Sequence, residues 1–462
     1  MSFSIQNDPR ENLNTLDDEL ENFHRNSANW SELPPIALET IYTYLNRTDQ
    51  LYMSLVCKAW SNEYGSPKVW RKITYNLLRT TQTETSPEIK IARKFGCMFK
   101  YVEISHVGER LGRSTVLKAM EQLQLFLEAL TESQCKLFSF VFKNMHMVHQ
   151  FLSNSAFTNL VNSTINFVRT QNTLRIVEFH NTFYKRDDAA KILSAVCESN
   201  SRTLMKLVLQ GFSRDAFDEV DVPISPPHLL STPYMTNLTT LKVDYSQFFE
   251  ESMQQLLDIK CVETQLMKKL LLIDVLCEGS LPAPIKGISP LVWKRLREMC
   301  PQLRINMNIL YQTQIQNDLT IYLVNHIPLQ HLVLNLRTNL IDTNLNIDVI
   351  FQQICNCRAH DFLESLSIYW MPAVGDISRC LIPFLQVSKK LKAVQMGLKY
   401  PVTGIEAIFE YLLNHQPESL ESICITVTGV DEVSQRHLME VAEEICPVLQ
   451  VTGLTVILLV YS

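Results

Sequence analysis

The stretch that decides the fold of the N-terminal region runs from Trp30 to Trp70 and reads WSELPPIALETIYTYLNRTDQLYMSLVCKAWSNEYGSPKVW. Its apolar residues follow helical spacing in two successive segments, and Thr48 is placed to cap the second. These apolar sets are Leu38, Ile41, Tyr42 and Leu45, followed by Leu51, Leu55, Val56 and Trp60. Pro67 predicts the start of a third short helix that includes Trp70 and Ile73. A core this small is not securely stable alone, so we expect the unit to bind a partner.

The composition is that of a globular protein. The chain has 462 residues, of which 46% are hydrophobic and 19% are charged, so it has room for one large domain and a small one, or for an extended array. Its formal net charge of -6 offers no general basic surface, so we expect no nucleic-acid partner. No apolar stretch reaches the roughly 20 residues of a membrane helix, and no secretory signal pattern is present.

Cysteine usage indicates the redox compartment. Twelve cysteines occur without a C-x-x-C pair, which favours buried reduced thiols over a disulfide framework. We therefore expect a protein of the cytoplasm or nucleus, with no membrane partner.

The chain falls into three predicted parts. Residues 1–29 are rich in Asp, Glu, Asn and Ser, and they predict a disordered polar tail. Residues 30–75 form the small helical unit. Residues 76–462 change to short β-like runs separated by amphipathic segments, which indicates a second domain.

Residues 30–75 resemble the F-box family. The family pattern is Leu-Pro, an apolar helix, a break with Asp, then Val-Cys-basic-x-Trp and a final Trp; Asp49 stands at the break. Ser61 and Asn62 depart from the basic or bulkier residues often found there. The resemblance implies docking on the Skp adaptor, which links the protein to the cullin and RING subunits of a ubiquitin ligase. The residues implied to bind the adaptor are Leu33, Pro34, Leu38, Ile41, Leu45, Leu51, Val56, Cys57, Trp60 and Trp70.

The remainder of the chain repeats a strand pattern. Runs such as TLRIVEF, NLTTLKV and FLESLSI share the form apolar-x-x-apolar-x-apolar, which is typical of a leucine-rich-repeat strand. The second apolar position recurs every 28 to 34 residues, a longer interval than the usual range of about 20 to 29. It falls at Val177, Leu207, Leu241, Leu270, Leu303, Leu332, Leu366, Val394, Ile423 and Leu454, with weaker copies at Ile73, Val102 and Phe140.

Helical segments separate these strands. In DDAAKILSAVCESN and IEAIFEYLLNH the apolar residues fall on one helical face. The segments EMCPQL (298–303) and EICPVL (444–449) place Cys-Pro at a predicted return from helix to strand, and they resemble cysteine-containing leucine-rich repeats of F-box proteins. The predicted fold class is α/β: a small all-α three-helix F-box followed by an irregular leucine-rich-repeat solenoid, with parallel strands inside and helices outside.

Two further surfaces are candidates for binding a target. The segment 213–234 lacks any period and is rich in Asp and Pro, so it is predicted to be a loop, either a solvated connection or a functional lid. On a solenoid, residues beside the buried strand positions point to the concave face. The candidates there are Glu178, His180, Lys242, Asp244, Arg304, Asn306, Asn335, Tyr369 and Gln395. The neighbouring Trp370 is predicted either to contact the target or to pack in the core.

Catalytic chemistry finds little support in the sequence. The chain contains no Gly-rich phosphate loop, no H-E-x-x-H and no G-x-S-x-G. Cys355, Cys357 and His360 lack an evident fourth metal ligand, and His146 with His149 lacks a completing carboxylate or thiolate. We expect no metal, no cofactor and no catalytic activity.

Three functional hypotheses remain open. The first is the substrate-recognition subunit of a Skp-cullin-F-box type E3 ubiquitin ligase, with the repeats binding an unknown target protein. The second is an adaptor or scaffold that uses the repeats for protein–protein interaction outside any ligase. The third, an enzyme with a pocket built from repeats, is the least supported.

Overall fold

The computed structural model describes eleven stretches of the chain in two compact units, and the boundary between the units lies between Ile73 and Thr74. The described residues are 30–77, 86–106, 112–145, 154–214, 235, 237–245, 269–278, 287–311, 316–336, 346–372 and 374–462. The predicted disordered tail, residues 1–29, lies outside them, as do the two histidines at 146 and 149.

The N-terminal unit contains short helices. A 3-10 turn, Trp30–Glu32, precedes α1 (Pro35–Tyr44), α2 (Arg47–Ser54) and α3 (Lys58–Tyr64). Asn46 caps α2, since its side chain accepts hydrogen bonds of 3.0 Å from the N–H groups of Thr48 and Asp49. The prediction that Thr48 caps this helix is therefore wrong. Asn46 satisfies two free N–H groups at once, which places the helix start one residue after it.

The predicted second helix is divided in two, and the predicted third helix is absent. α2 ends at Ser54, so Trp60 lies on the separate helix α3. Pro67 begins a turn in which the N–H groups of Val69 and Trp70 both reach Ser66 O. After the buried Trp70 the chain becomes extended at Lys72 and enters a strand.

The second unit is built around one open sheet. Its strand order is β1-β2-β3-β4-β6-β8-β9-β10-β11-β12-β13-β14-β15, and each pair from β2 onward is parallel. The strands are β1 (Lys72–Asn76), β2 (Tyr101–Ser105), β3 (Ser139–Lys143), β4 (Ile176–His180), β5 (Tyr184–Lys185), β6 (Lys206–Gln210), β7 (Ser213–Arg214), β8 (Thr240–Asp244), β9 (Leu272–Glu278), β10 (Arg304–Tyr311), β11 (Leu329–Leu336), β12 (Ser365–Trp370), β13 (Ala393–Lys399), β14 (Ser422–Thr428) and β15 (Thr455–Tyr461).

In the described parts of the chain, helices lie between most of these strands and cover one face of the sheet. Phe140 of β3 packs 5.2 Å from Phe167, and Tyr75 of β1 stacks 4.5 Å from Phe126, measured between ring centroids. The opposite face, here called the open face, carries the half-buried residues that alternate with the buried ones. The helices are α4 (Pro87–Phe95), α5 (Arg113–Glu132), α6 (Asn154–Arg169), α7 (Arg186–Asn200), α8 (Pro290–Met299), α9 (Gln316–Tyr322), α10 (Ile347–Asn356), α11 (Ser378–Val387), α12 (Ile405–Asn414) and α13 (Glu432–Val451), with 3-10 turns at Gly96–Met98 and Ala359–Asp361.

Strand register agrees with the repeat positions over much of the sheet. Val102, Phe140, Val177, Leu207 and Leu241 lie opposite one another in successive strands. The same is true of the four positions from β11 to β14, which are Leu332, Leu366, Val394 and Ile423.

Three repeat positions are wrong. Leu241 lies opposite Ile273 rather than Leu270, and Ile423 lies opposite Val456 rather than Leu454. In β10 the residue in register with Leu332 is Met307, four positions after the predicted Leu303. Leu270, Leu303 and Leu454 are all buried just before their strands. An apolar pattern alone cannot separate such residues from the strand that follows.

The helical faces were easier to predict. Ile405, Ile408 and Leu412 lie on α12 and are all buried, as expected from their spacing. The predicted return at 444–449 is wrong, because α13 continues through Pro447. Burial of Leu449 in the last turn favours continued helix over the break that proline usually causes.

The first two residues of the predicted loop at 213–234 form a strand instead. Ser213 and Arg214 form β7, which pairs in parallel with β5 in a separate two-stranded sheet. Residues 215–234 lie outside the described residues. The chain is therefore mixed α/β, with a helical N-terminal unit and a parallel-strand sheet region.

Candidate functional site

The N-terminal unit is held by a small aromatic core. Leu38, Tyr42 and Trp70 are almost fully buried, with at most 1% of each residue exposed. The Tyr42 hydroxyl donates to Trp60 O at 2.8 Å, and the Trp70 indole N–H donates to Tyr64 O at 2.5 Å. Each ring thus fills the core and also satisfies a backbone carbonyl, which fixes the helices around it.

Tyr42 is a permanent hydrogen-bond donor in this core. Burial, followed by the nearby Tyr64, raises the pKa of Tyr42 to about 12. The hydroxyl therefore keeps its proton at any physiological pH, and the bond to Trp60 O does not titrate.

Arg47 joins the start of α2 to the end of the unit. Its guanidinium lies 4.4 Å from the centroid of the Trp70 ring, as a cation–π contact requires. It donates to Gln50 Oε1 at 2.6 Å, to Val69 O at 3.3 Å, and also to Lys72 O. Burial lowers the pKa of Arg47, but arginine remains charged, so the group acts as a charged clamp on the turn at residues 67–70.

The helices expose large apolar side chains. Ile36 and Leu55 are each 74% exposed, and Tyr44 is 86% exposed. Leu51 lies on α2, and Leu55, four positions later, caps the C-terminal end of that helix. The exposed apolar surface of this unit comprises Trp30, Ile36, Ile41, Tyr44, Leu51, Tyr52, Leu55 and Val56. So many exposed apolar groups on so small a unit are typical of a protein-binding surface.

The predicted adaptor-binding residues occupy three environments. Leu38 and Trp70 are buried and belong to the core, where they can support a binding surface but cannot touch a partner. Leu33, Leu45, Cys57 and Trp60 are half-buried, and Pro34, Ile41, Leu51 and Val56 are exposed. The prediction omitted Trp30, Ile36, Tyr44, Tyr52 and Leu55. Their signal was available, since they are apolar residues off the buried face of each helix.

The predicted target-binding residues all lie on the open face, but they are spread along it. Asn335 and Tyr369 are opposite one another on β11 and β12. Lys242 of β8 lies opposite Asp274, which in turn lies opposite Asn306. Further along the same face lie Glu178 and His180 on β4, Asp244 on β8, Arg304 on β10 and Gln395 on β13.

Several of these charges are already paired within the sheet. Glu178 lies 3.0 Å from His180 Nε2 and 2.7 Å from Lys206 Nζ. The hydrogen bond with His180, followed by that with Lys206, lowers the pKa of Glu178 to about 2. Lys242 Nζ lies 2.5 Å from Asp274 Oδ2. These side chains stabilise the sheet itself, so they are poor candidates for a surface that is free to bind a target.

Three asparagines on the open face differ from these paired charges. The Oδ1 atoms of Asn306, Asn308 and Asn335 are buried and accept no hydrogen bond from any described residue. They lie on the open face of two adjacent strands, β10 and β11. A buried acceptor without a donor destabilises a protein by about 1 to 3 kcal/mol. Asn306 and Asn335 are among the predicted target-binding residues, whereas Asn308 is not.

The neighbouring aromatic residues differ in role. Trp370 is 1% exposed and belongs to the core. Tyr369 is half-buried on the open face and lies opposite Gly397 of β13. A Cβ added to Gly397 would lie 2.9 Å from the Tyr369 ring. The absence of a side chain at Gly397 therefore makes room for Tyr369.

The described ranges lack the groupings that a metal site or a membrane span requires. No group of three or more His, Cys, Asp or Glu side chains could hold a metal ion there. Burial raises the pKa of the Cys357 thiol to about 11, so this cysteine is a protonated core residue. None of the helices in the described ranges has the length and apolarity needed to cross a membrane.

Comparison with known proteins assigns the N-terminal unit. No curated protein matches the chain. The family model described as F-box domain matches residues 30–72. These residues contain all three helices, the Arg47 clamp and the exposed apolar surface, and the match ends at Lys72, the first residue of β1. Residues 30–72 are therefore an F-box domain.

Proposed function

We propose that the chain is the substrate-recognition subunit of a Skp-cullin-F-box type E3 ubiquitin ligase. In this proposal the F-box domain binds the Skp adaptor, and through it the cullin and RING subunits. The sheet region is an irregular leucine-rich-repeat solenoid that binds the target protein. Catalysis belongs to the partner subunits, no cofactor is needed, and the protein acts in the cytoplasm or nucleus.

The F-box match, together with the exposed apolar surface of the same residues, carries the proposal. Leu51, Tyr52, Leu55 and Val56 lie within six positions at the end of α2, and each exposes roughly half or more of its surface. Burying such side chains against an adaptor contributes about 25 cal/mol per Å² of apolar area. Leu38 and Trp70 act from the core by holding the helices that present this surface.

Target binding is assigned to the open face around β10, β11 and β12. The unpaired oxygens of Asn306, Asn308 and Asn335 require donors, and Tyr369 offers a rigid aromatic contact beside them. A target segment rich in N–H donors, presented by its backbone or by Lys and Arg side chains, fits this chemistry.

The adaptor contact is tested with charged substitutions at exposed positions. Leu51→Asp with Val56→Asp places two carboxylates in the apolar surface without touching the core. Co-purification of the Skp adaptor and cullin is expected to fall at least about tenfold, because each buried carboxylate would lack a partner. Val433→Asp is the matched control, since Val433 is 70% exposed on α13, outside the F-box domain.

Two outcomes would contradict the proposal. Undiminished adaptor binding by the folded double variant would show that this surface is not the contact. Capture of the adaptor by the wild-type protein without any cullin would favour an adaptor or scaffold that acts outside a ligase.

A further inference from the structure

Among the described strands, the last one in the sheet order has an edge with few of the usual protective features. β15, with the sequence TVILLVY, is last in the strand order and pairs with β14, and no other described strand pairs with it. Soluble proteins usually protect such an edge with charged residues, proline, a bulge or a covering element. β15 contains no charged residue and no proline.

The side chains of β15 on the open face are apolar and accessible. Ile457 is 44% exposed, Leu459 is 40% exposed and Tyr461 is 52% exposed. The residues at the same positions of β14 are Cys424, Thr426 and Thr428, which are smaller or more polar. The last strand therefore departs from the polar character that an exposed sheet surface normally has.

The backbone of β15 is also available for pairing. The Thr455 N–H donates to Glu421 O at 3.0 Å, on the side of β14. In a parallel pair, bonding residues alternate, so the N–H and C=O groups of Val456, Leu458 and Val460 point toward the free edge. The Gln435 amide reaches Val460 O at 3.4 Å, a long bond that a shorter backbone bond can replace.

We propose that β15 pairs antiparallel with β15 of a second copy of this chain, about a two-fold axis at Leu458. The three residues with outward backbone groups are symmetric about Leu458. The axis therefore pairs Leu458 with its own copy, and it pairs Val456 with Val460 of the other copy. The same axis sets Ile457 against Leu459, so that apolar side chains meet on the open face. A two-fold interface uses the same surface on both copies, as this pattern requires.

Charge favours a second copy over a charged partner. Each chain carries a net charge of -6, but β15 itself has no charged residue. Two copies of β15 can therefore pair without placing like charges opposite one another. A basic or acidic partner strand would find no opposite charge on β15. Because no ion pair holds the contact, the dimer persists at about 1 M salt, where exposed charge pairs are screened.

The association is tested with the full chain by sedimentation equilibrium between about 1 and 100 µM, a range in which mass action separates monomer from dimer. The wild type is expected to change from monomer to dimer across this range. The variant Ile457→Lys with Leu459→Lys sets like charges opposite one another, which is expected to raise the dissociation constant at least about tenfold. Leu291→Lys, at a residue 71% exposed on α8, is the matched control and is expected to dimerise like the wild type.

A cross-link tests the symmetry axis. Hydrogen-bonded antiparallel partners lie about 5.5 Å apart at Cα, within the range that a disulfide spans. Leu458→Cys is expected to form a covalent dimer on mild oxidation, beyond that of a Leu291→Cys control. A wild type that stays monomeric at every concentration overturns the proposal, and so does a dimer that resists both lysines and forms no cross-link at Leu458.

Discussion

At the residue scale, Arg47 shows how one side chain holds the F-box domain together. Replacement with Lys keeps the charge but removes the planar stacking on Trp70 and the several donors that reach Gln50, Val69 and Lys72. We expect Arg47→Lys to lower the stability of this domain by about 1 to 2 kcal/mol. Faster amide hydrogen exchange at residues 58–72 would report the loss, while Arg436→Lys, on α13, should leave that exchange unchanged.

Glu178 gives the sheet a defined dependence on pH. Its pKa is lowered from an ordinary value of 4.5 to about 2, first by His180 and then by Lys206. A carboxylate whose pKa is lower in the folded state than in the unfolded chain stabilises the fold at any pH above the unfolded pKa. This stabilisation is lost as the pH falls from 4.5 toward 2. Glu178→Gln should therefore have a melting temperature that falls less over this window than that of the wild type. Identical pH profiles for the two proteins would refute the assignment.

Sequence predicts apolar residues better than it predicts their surroundings. Trp70 and Leu51 both fit the F-box pattern, yet one is fully buried and the other is about half exposed. In so small a unit, helices carry apolar residues on both the core face and the binding face, so spacing alone does not separate them. The sequence could not reveal the pairing of Lys242 with Asp274 either. That contact depends on the register of two strands that are neighbours in the sheet but far apart in the sequence.

At the scale of elements, the buried faces of the helices between the strands were more predictable than strand register. The period of α12 identifies its buried face directly, whereas the residue opposite Leu241 required the structure. Leu270 and Ile273 are both apolar and both buried, and the choice between them is made by backbone pairing with β8. Tertiary burial likewise overrides local preference where α13 passes through Pro447.

Neighbour-by-neighbour stacking predicts the effect of truncation. Ending the chain after Lys399 removes β14 and β15 together with α12 and α13, so Val394, Met396 and Leu398 lose covering partners. The shortened protein is expected to aggregate or to lose cooperative melting, because each element is stabilised mainly by its neighbours. A variant that lacks residues 1–29 removes none of the described structure and is the control. A soluble truncated form with a sharp melting transition would show that the strands are not one interdependent array.

At the scale of the whole molecule, the open face divides into a region of internal ion pairs and a region of unpaired polar groups. Glu178 and Lys242 belong to the first, so reversing the charge of Lys242 would set it against Asp274 and weaken the sheet. Such a variant cannot separate loss of binding from loss of stability. The asparagines of β10 and β11 belong to the second region, where a substitution removes an Oδ1 acceptor that has no donor among the described residues.

This difference allows a sharp test of target binding. Asn308→Leu and Asn335→Leu replace buried acceptors that have no donor among the described residues, so stability should change by no more than about 0.5 kcal/mol or should rise. Asn200→Leu is the matched control: Asn200 accepts from Leu174 N–H at 3.0 Å and donates to Val196 O, and its loss should destabilise the protein by about 1 to 3 kcal/mol. Thermal melting measures both effects.

The functional readout is proximity labelling with and without proteasome inhibition. Proteins that accumulate near the wild type only under inhibition are the candidate targets, and their capture should fall for Asn308→Leu and Asn335→Leu while adaptor binding stays unchanged. The physical reason is that each target N–H bonded to these oxygens in the complex would face an apolar side chain in the variants and remain unsatisfied. Unchanged capture by both folded variants would place recognition elsewhere, and deletion of residues 215–234 would then test that segment. A loss of stability as large as that of Asn200→Leu would instead show that these oxygens are bonded within the chain.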